Sequence, residues 1–316
     1  NELPLASALE KEALAWADQG WPGVTQTTHD LLAYWFLRDE EDNERFHDCQ
    51  RGAIEVIVYC HEILGFAALK DAYERLAPDA LAQSAALSEE VASIPFPKYA
   101  LKMATGTGKT WVLAALLVWQ YFNKQNGEND PATSLGAGKK YSSHFMVVAP
   151  GHEVLNRLLD MFLGKHDPKT GLRDKSRSDF ERSLFMPDGE RWRNRFNLRV
   201  LEPSDVRANQ TAPDEPFVYI TNWQQFRLSE SKSLWDQYTG ADVEDQPRGE
   251  VIADFLAEYP DLIVLNDEAH HVHGSKSKTG DELVWRRFMR VLQERIAEQH
   301  KEKRGLFLQI DFSATP

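Results

Sequence analysis

One short stretch constrains the fold of this chain more than any other: residues 103–110, with the sequence MATGTGKT. A β-prone run, residues 99–103, precedes it, and an apolar segment of about three helical turns, residues 111–122, follows it. A glycine-rich loop between a strand and a helix exposes backbone N–H groups that bind phosphate, and the helix N-terminus adds the positive end of its dipole. The stretch therefore predicts a phosphate-binding loop.

The residue types in this loop fit a nucleoside triphosphate. Lys109 would reach the β- and γ-phosphates, and the hydroxyl of Thr110 would be a ligand for Mg²⁺. Met103 stands where the usual pattern has its first glycine, and the plain alternative is a glycine-rich turn that happens to precede Lys-Thr. The predicted cofactors are ATP and Mg²⁺, and the predicted binding residues in the loop are Thr105, Gly106, Thr107, Gly108, Lys109 and Thr110.

A pair of carboxylates follows a second strand. Residues 262–265 are all apolar, as in a central parallel strand, and lead through Asn266 to Asp267 and Glu268. In a phosphate-loop protein, a carboxylate at the end of such a strand holds Mg²⁺, which is the role we assign to Asp267. Glu268 can then orient and deprotonate the water that attacks the γ-phosphate, so it is the candidate general base.

Three histidines lie just beyond these carboxylates: His270, His271 and His273. They leave a metal site open as an alternative, although they lack thiolate partners and the His-x-x-x-His spacing of a helical site. The adjacent pair of carboxylates already explains the cluster as part of an ATP site.

Strands and helices alternate along most of the chain, which predicts a mainly parallel sheet covered by helices on both faces. Apolar patterns predict further strands near residues 145–148, 198–201, 217–220 and 306–312. The motifs fall at the carboxyl ends of strands, where an open α/β sheet binds its ligand. We expect an α/β fold over residues 45–316, preceded by a small helical region at residues 1–44.

Local signals place several helix ends. A helical apolar pattern covers residues 46–66 and has Gln50 near its start. Thr28 can cap a helix before it, and Thr221 with Gln224 has the spacing of a capping box at the end of a strand. The last signal predicts a helix N-terminus, which is a place where phosphate groups bind.

Polar surface insertions are expected near residues 124–143, 165–196 and 229–247. Residues 165–199 contain ten Lys and Arg against six Asp and Glu, and residues 191–196 interleave three arginines with two aromatic residues. Such interleaving suits contact with a nucleic acid. A solvated insertion whose aromatic side chains enter the core explains it equally well, because alternation is also the pattern of a half-buried strand.

Composition narrows the class of protein. The formal net charge is −13, which argues against a protein that coats nucleic acid through its overall charge. No apolar run approaches the length of a membrane span, and the amino end lacks a secretion signal, so we expect a cytoplasmic location and no membrane partner. The two cysteines, Cys49 and Cys60, have no metal-type spacing and are expected to be reduced core residues.

Three motifs in this order carry a family resemblance: residues 103–110, Asp267-Glu268-Ala269-His270 and Ser313-Ala314-Thr315. They resemble motifs I, II and III of superfamily 2 helicases and translocases. Within that superfamily they are similar to the motor subunit of type III restriction enzymes and related bacterial defence proteins. The resemblance covers roughly residues 45–316 and implies the first RecA-like lobe of such a motor.

The resemblance implies roles for further residues. Gln50 resembles the glutamine that recognises adenine, with His47 where an arginine is common. His270, Ser313 and Thr315 are implied to couple the nucleotide state to a second lobe.

The resemblance also implies partners. Pro150 and Gly151 resemble motif Ia, and Thr221 and Asn222 lie where motif Ib or Ic contacts the backbone of a nucleic acid strand. DNA, expected to be duplex, is the implied ligand. A second RecA-like lobe with an arginine finger, a nuclease domain and a methyltransferase or other defence subunit are implied partners outside this sequence. We expect residues 1–316 alone to turn ATP over poorly, because that arginine stabilises the transition state.

These features predict an ATP hydrolase that moves on DNA as part of a restriction or other antiviral defence enzyme. An RNA helicase with the same motor is one alternative, since such motors grip the nucleic-acid backbone and the chain shows no base-reading module. Another is a nucleotide-gated interaction protein that binds ATP and a partner without moving. The net charge favours it mildly, but Asp267 and Glu268 argue against it, because a binding module has no use for a positioned base.

Overall fold

The computed structural model describes residues 4–37, 46–126, 141–167, 169–182, 185–208, 210, 213–226, 248–267, 280–301 and 305–314. The strands in this part of the chain are β1 (Lys98–Lys102), β2 (His144–Ala149), β3 (Arg199–Leu201), β4 (Phe217–Asn222), β5 (Ile263–Asn266) and β6 (Leu308–Ser313). They form one sheet in the order β1-β6-β5-β2-β4-β3, and each neighbouring pair is parallel. The predicted parallel sheet is confirmed.

Helices connect these strands and precede the first of them. They are α1 (Pro4–Ala17), α2 (Gln26–Phe36), α3 (Asp48–Val58), α4 (Leu69–Leu76), α5 (Pro78–Gln83), α6 (Ala85–Ala92), α7 (Lys109–Gln125), α8 (His152–Leu163), α9 (Asp179–Arg182), α10 (Arg248–Ala257) and α11 (Gly280–His300). A π-helical turn, Tyr59–Leu64, continues α3, and Gly65 in the left-handed region ends it. The helix predicted over residues 46–66 is therefore present, with a π-helical end that the apolar pattern did not indicate. Short 3₁₀ turns occur at Lys175–Arg177, Arg193–Arg195, Pro203–Asp205 and Trp223–Phe226.

The sheet is buried on both faces. Because successive side chains of a strand point to opposite faces, Phe145 and Val147 of β2 join one hydrophobic cluster, whereas Met146 and Val148 join the other. Helix α7 lies in the first cluster, and α10 and α11 lie in the second. Burial on both faces explains why the strands are almost continuously apolar.

The N-terminal helices belong to the first cluster. Trp16 of α1 and Leu31 of α2 are buried in it together with the apolar face of α7. The indole Nε1 of Trp35 donates a hydrogen bond to the carbonyl oxygen of Phe185 at 3.0 Å. The predicted domain boundary after residue 44 lies outside the described residues and stays a prediction.

Two capping predictions are wrong. Helix α2 begins earlier than expected, and its N-cap is Thr25, whose Oγ1 accepts a hydrogen bond from the backbone N–H of Thr28 at 3.1 Å. Strand β4 continues through Asn222, so Thr221 lies inside a strand and does not open a helix. A 3₁₀ turn, Trp223–Phe226, follows instead.

The basic stretch between β2 and β3 packs as an insertion with buried aromatic side chains. Phe180 and Trp192 are buried in the first cluster. Arg193 donates through Nη1 to the carbonyl oxygen of Phe180 at 2.8 Å, and Arg195 donates through Nη1 to Oδ1 of Asn126 at 3.1 Å. These arginines bind neighbouring protein groups, which favours the second of the two interpretations of this stretch.

The other predicted insertions lie largely outside the described residues. Tyr141 and Ser142, at the end of the insertion expected near 124–143, are buried. The cysteine prediction holds for one residue: Cys60 is buried, Cys49 is exposed, and neither forms a disulfide. Burial raises the pKa of the Cys60 thiol to about 12.

No single helix among the described residues is long and apolar enough to cross a membrane. One bent pair, Asp48–Leu64 with Leu69–Leu76, passes the length and composition test only when its two parts, which meet at 90°, are taken together.

A buried polar network joins three helical segments. Glu62, in the π-helical turn, accepts hydrogen bonds through Oε1 from Thr28 Oγ1 at 2.5 Å and from Trp119 Nε1 at 2.8 Å. Its Oε2 accepts from the backbone N–H of Thr25 at 3.0 Å, and Asn123 Nδ2 donates to Thr28 Oγ1 at 3.0 Å. The carboxylate therefore ties α2 to α7, and its burial is tolerated because it is well supplied with donors.

We expect Thr28→Val to lower the free energy of unfolding by about 2 kcal/mol, because the variant keeps the shape of the side chain and leaves buried partners without their hydroxyl. Thr27→Val is the matched control. Thr27 is equally buried on the same helix, but its Oγ1 accepts from Asn126 Nδ2 at 2.9 Å, whereas it is Thr28 Oγ1 that is bonded to the Glu62 carboxylate. Denaturant unfolding of both variants tests this, and equal losses would contradict the network.

Candidate nucleotide-binding site

Strand β6 lies between β1 and β5, which brings the loops that follow these three strands to one edge of the sheet. Backbone hydrogen bonds continue beyond the strands. The N–H of Met103 donates to the carbonyl oxygen of Ser313 at 2.9 Å, and the N–H of Asp267 donates to the carbonyl oxygen of Val148 at 2.9 Å. The described parts of the three predicted motifs therefore meet at this edge.

Several predicted site residues lie outside the described part of the chain. They are Glu268, His270, His271, His273 and Thr315. Their proposed roles, including the alternative metal site, stay predictions.

Residues 103–110 form the predicted turn between β1 and α7. Gly106 and Gly108 have φ values of 82° and 77°, in the left-handed region that glycine adopts most easily. Gly108 is the N-cap of α7, so the first turn of the helix, with the positive end of the helix dipole, faces the loop. The backbone at this point has the form of an anion-binding loop.

Met103 replaces a glycine at no cost to the backbone. Among the described residues other than glycine, a positive φ occurs at Trp21 and Lys301, and not at Met103. The Met103 side chain is buried in the first hydrophobic cluster. The departure from the usual pattern therefore adds apolar contact below the loop without straining the loop.

Gln50 packs directly against the loop. Its Oε1 accepts a hydrogen bond from the backbone N–H of His47 at 2.8 Å, and its Nε2 donates to the carbonyl oxygen of Thr107 at 2.9 Å. The side chain is buried, so both ends of the amide are held by backbone groups. The structure thus places Gln50 beside the phosphate loop, and contact with adenine stays a prediction.

Three of the residues predicted to bind phosphate and Mg²⁺ are shielded from solvent, whereas Thr105 and Gly106 in the same loop are exposed. Lys109 is 6% exposed, Asp267 is 5% exposed, and Thr110 is half-buried. Lys109 and Thr110 belong to the first turn of α7, whereas Asp267 follows β5 directly. A hydroxyl and a carboxylate are oxygen ligands of the kind that Mg²⁺ prefers, and Mg²⁺ usually needs few protein ligands beside substrate phosphates and water. The residues present therefore fit the ion.

A metal site built from protein side chains alone has no support in the described ranges. No group of three or more His, Cys, Asp or Glu side chains is arranged there to hold a metal ion.

The residues predicted to contact nucleic acid lie at the next strand ends. Ala149 of β2 pairs with Asn222 of β4, so Pro150 is close to the end of β4. Trp223 Nε1 donates to the carbonyl oxygen of Pro150 at 2.9 Å. Thr221 and Asn222 are buried, whereas Pro150 and Gly151 are half-buried. The structure brings the two predicted segments together, and their contact with nucleic acid stays a prediction.

Sequence reasoning missed a set of buried polar side chains on the face of the sheet that carries the second hydrophobic cluster. Asn266 Nδ2 donates to Oδ1 of Asp311 at 2.5 Å, and Gln309 Nε2 donates to the same oxygen at 2.8 Å. A signal was available, because Gln309, Asp311 and Ser313 alternate with apolar residues in β6 and so share one face.

The close approach of Gln50 to Gly108 gives a test of the loop. A Cβ added at Gly108 would lie 2.2 Å from Gln50 Nε2, whereas a Cβ added at Gly106 would have no atom within 4 Å. Both Gly106→Ala and Gly108→Ala introduce about 1–2 kcal/mol of backbone strain. Only Gly108→Ala also displaces the Gln50 amide, which costs about 1–3 kcal/mol more.

We therefore expect Gly108→Ala to bind ATP about tenfold or more weakly than Gly106→Ala. Calorimetric titration of both variants of the full-length protein with ATP and Mg²⁺ measures the difference. Equal affinities would show that Gln50 does not support the nucleotide-binding form of the loop.

Comparison with known families agrees with this arrangement. The family model of the type III restriction enzyme res subunit matches residues 72–316, more than half of the chain. The matched range contains the phosphate loop, Asp267 and all strands of the sheet, whereas Gln50 precedes it. No curated protein and no solved structure shows significant similarity to the chain. The chain belongs to the family of type III restriction enzyme res subunits and contains its helicase-type motor domain.

Proposed function

We propose that the full-length protein is an ATP-driven motor that translocates on DNA within a restriction or other bacterial defence enzyme. Residues 45–316 would be its first RecA-like lobe, with residues 1–44 as a helical appendage. The observation that carries the proposal is that the carboxyl ends of β1, β6 and β5 lie side by side at one edge of the sheet. The loop after β1 contains the residues proposed to bind phosphate, Asp267 follows β5, and Ser313 is the last residue of β6. This is the combination that a nucleotide-driven switch requires.

ATP is proposed to bind with its phosphates in the loop of residues 103–110. The backbone N–H groups at the start of α7 would hold the phosphate oxygens, and Lys109 would neutralise the charge on the β- and γ-phosphates. Gln50, which already contacts the loop, would hold the adenine. Mg²⁺, held by Thr110 and Asp267, would when bound neutralise charge on the phosphates during transfer.

Hydrolysis needs a base for the attacking water. Glu268 follows Asp267 directly and is the proposed base: it would take a proton from the water as the water oxygen bonds to the γ-phosphorus and the bond to ADP breaks. His270, Ser313 and Thr315 are proposed to transmit the nucleotide state to a second RecA-like lobe. That lobe would supply the arginine that stabilises the transition state.

DNA is the proposed track because the family takes its name from a restriction enzyme. Pro150 and Gly151 after β2, with Thr221 and Asn222 at the end of β4, are the proposed contacts to the DNA backbone. They continue the edge of the sheet that carries the ATP site, since β2 pairs with both β4 and β5. A nuclease domain and a methyltransferase or other defence subunit are the proposed partners.

The proposed motor makes a prediction about ATP turnover. We expect linear duplex DNA to stimulate ATP hydrolysis by the full-length protein, and we expect Lys109→Ala to lower the stimulated rate about a hundredfold or more, because a charge at the transferred phosphoryl group is lost. Lys102→Ala is the matched control, because Lys102 is an exposed lysine at the end of β1, just before the loop. A rate that does not respond to duplex DNA would remove the DNA motor, and RNA would then be the next ligand to measure.

The proposed role of Glu268 as the base makes a separate prediction. Glu268→Gln keeps the size of the side chain and removes its basicity, so we expect ATP to bind normally while hydrolysis falls about 10²-fold to 10⁴-fold. Movement on DNA, measured by displacement of a labelled third strand from a duplex, should stop. A variant that hydrolyses ATP at the normal rate would contradict the role of Glu268. If ATP binding by the unaltered protein controlled a protein partner and no movement occurred, the binding-module function would be favoured.

A further inference from the structure

Asp311 is a buried carboxylate that connects three strands. Its Oδ1 accepts a hydrogen bond from Asn266 Nδ2 of β5 at 2.5 Å and from Gln309 Nε2 of its own strand at 2.8 Å. Its Oδ2 lies 3.5 Å from Nζ of Lys98 in β1. Asp311 and Asn266 are 5% and 1% exposed, so solvent contributes little to this arrangement.

The three connected strands are those that lead into the proposed ATP site. Asn266 directly precedes Asp267, and Asp311 stands two residues before Ser313 on the same face of β6. Asn266 and Asp311 are also direct partners in the register of β5 and β6. A side-chain link at this level fixes the last residues of two strands just before their functional loops begin.

The middle of this face of the sheet is apolar, with Met146, Val148 and Val264 in the second hydrophobic cluster, whereas Asn266, Asp311 and their neighbours form a polar group. Burying an amide and a carboxylate costs free energy, and a well-packed apolar pair at such a position is often as stable or more stable. A hydrogen bond differs from apolar contact in one respect: it fixes a distance and a direction between two particular atoms.

We propose that Asn266 and Asp311 are positioning residues for the ATP site. Their hydrogen bond holds the carboxyl end of β5 in register with the carboxyl end of β6, so that Asp267 is presented to Mg·ATP at a fixed place relative to Ser313. Neither residue touches the nucleotide. The inference rests on the proposed function, because it assigns to Asp267 the task of holding Mg²⁺.

Two substitutions separate positioning from stability. Asn266→Leu removes the side-chain hydrogen bond from β5 to Asp311 Oδ1 in β6. Gln309→Leu removes the hydrogen bond that the same carboxylate oxygen accepts from a side chain within β6. Both residues are buried, and both changes replace an amide with an apolar side chain of similar size. Both variants should lose thermal stability, but only Asn266→Leu should disturb Asp267.

The measurement is calorimetric binding of ATP to the full-length protein at a series of Mg²⁺ concentrations, and without Mg²⁺. We expect Asn266→Leu to raise the Mg²⁺ concentration for half-maximal ATP binding about tenfold or more, which is the usual effect of losing a residue that orients a metal ligand. ATP affinity without Mg²⁺ should not change. Gln309→Leu should keep the Mg²⁺ dependence of the unaltered protein.

An equal shift in both variants, or no shift in either, would overturn the positioning role. If leucine prevents folding at either position, Asn266→Ala and Gln309→Ala give the same comparison with a smaller side chain. An unaltered protein that binds Mg·ATP but ignores DNA would refute the motor and leave this comparison valid. An unaltered protein that does not bind Mg·ATP would refute both.

Discussion

The insertion of β6 between β1 and β5 is the constraint on which the candidate site depends. Parallel strands lie about 5 Å apart, so the loop after β1 and Asp267 after β5 are separated by two strand spacings, about 10 Å. That gap is wide enough for phosphate groups, and Ser313, at the end of β6, lies between the two. Had β1 paired directly with β5, the loop and the carboxylate would face each other with no third element between them to respond to the nucleotide.

The phosphate loop is held in shape from two sides before any ligand arrives. The hydrogen bond from Met103 to Ser313 anchors its first residue to the sheet, and Gln50 binds the carbonyl oxygen of Thr107 near its end. Gly108 permits the second contact, because a side chain there would collide with the Gln50 amide. A loop held in this way has less conformational entropy to lose when phosphate binds, which favours affinity.

The fold and the turn that forms the phosphate loop could be predicted from the sequence, the roles of the site residues stay predictions, and the errors have physical causes. Apolar runs and glycines identified the strands and the phosphate loop because burial on both faces of a parallel sheet leaves a strong pattern. The cap of α2 was misplaced because Thr25 and Thr28 are equally suitable caps locally, and the choice depends on Glu62, which is distant in sequence. Local charge left two interpretations open at Arg193 and Arg195, because their guanidinium groups bind protein oxygen atoms that are distant in sequence.

Polar groups buried in the sheet lie mainly toward the carboxyl ends of its strands. Asn222 ends β4, Asn266 ends β5, and Asp311 lies two residues before the end of β6, whereas the centres of β2, β4 and β5 are apolar. The side-chain oxygens of Asn222 and Asn266 are buried and have no hydrogen-bond partner within the described residues. The apolar middle of the sheet therefore stabilises the fold, whereas the edge formed by the carboxyl ends of the strands carries buried polar side chains. Residues that must act on a ligand are expected to depart from the most stable choice at that edge.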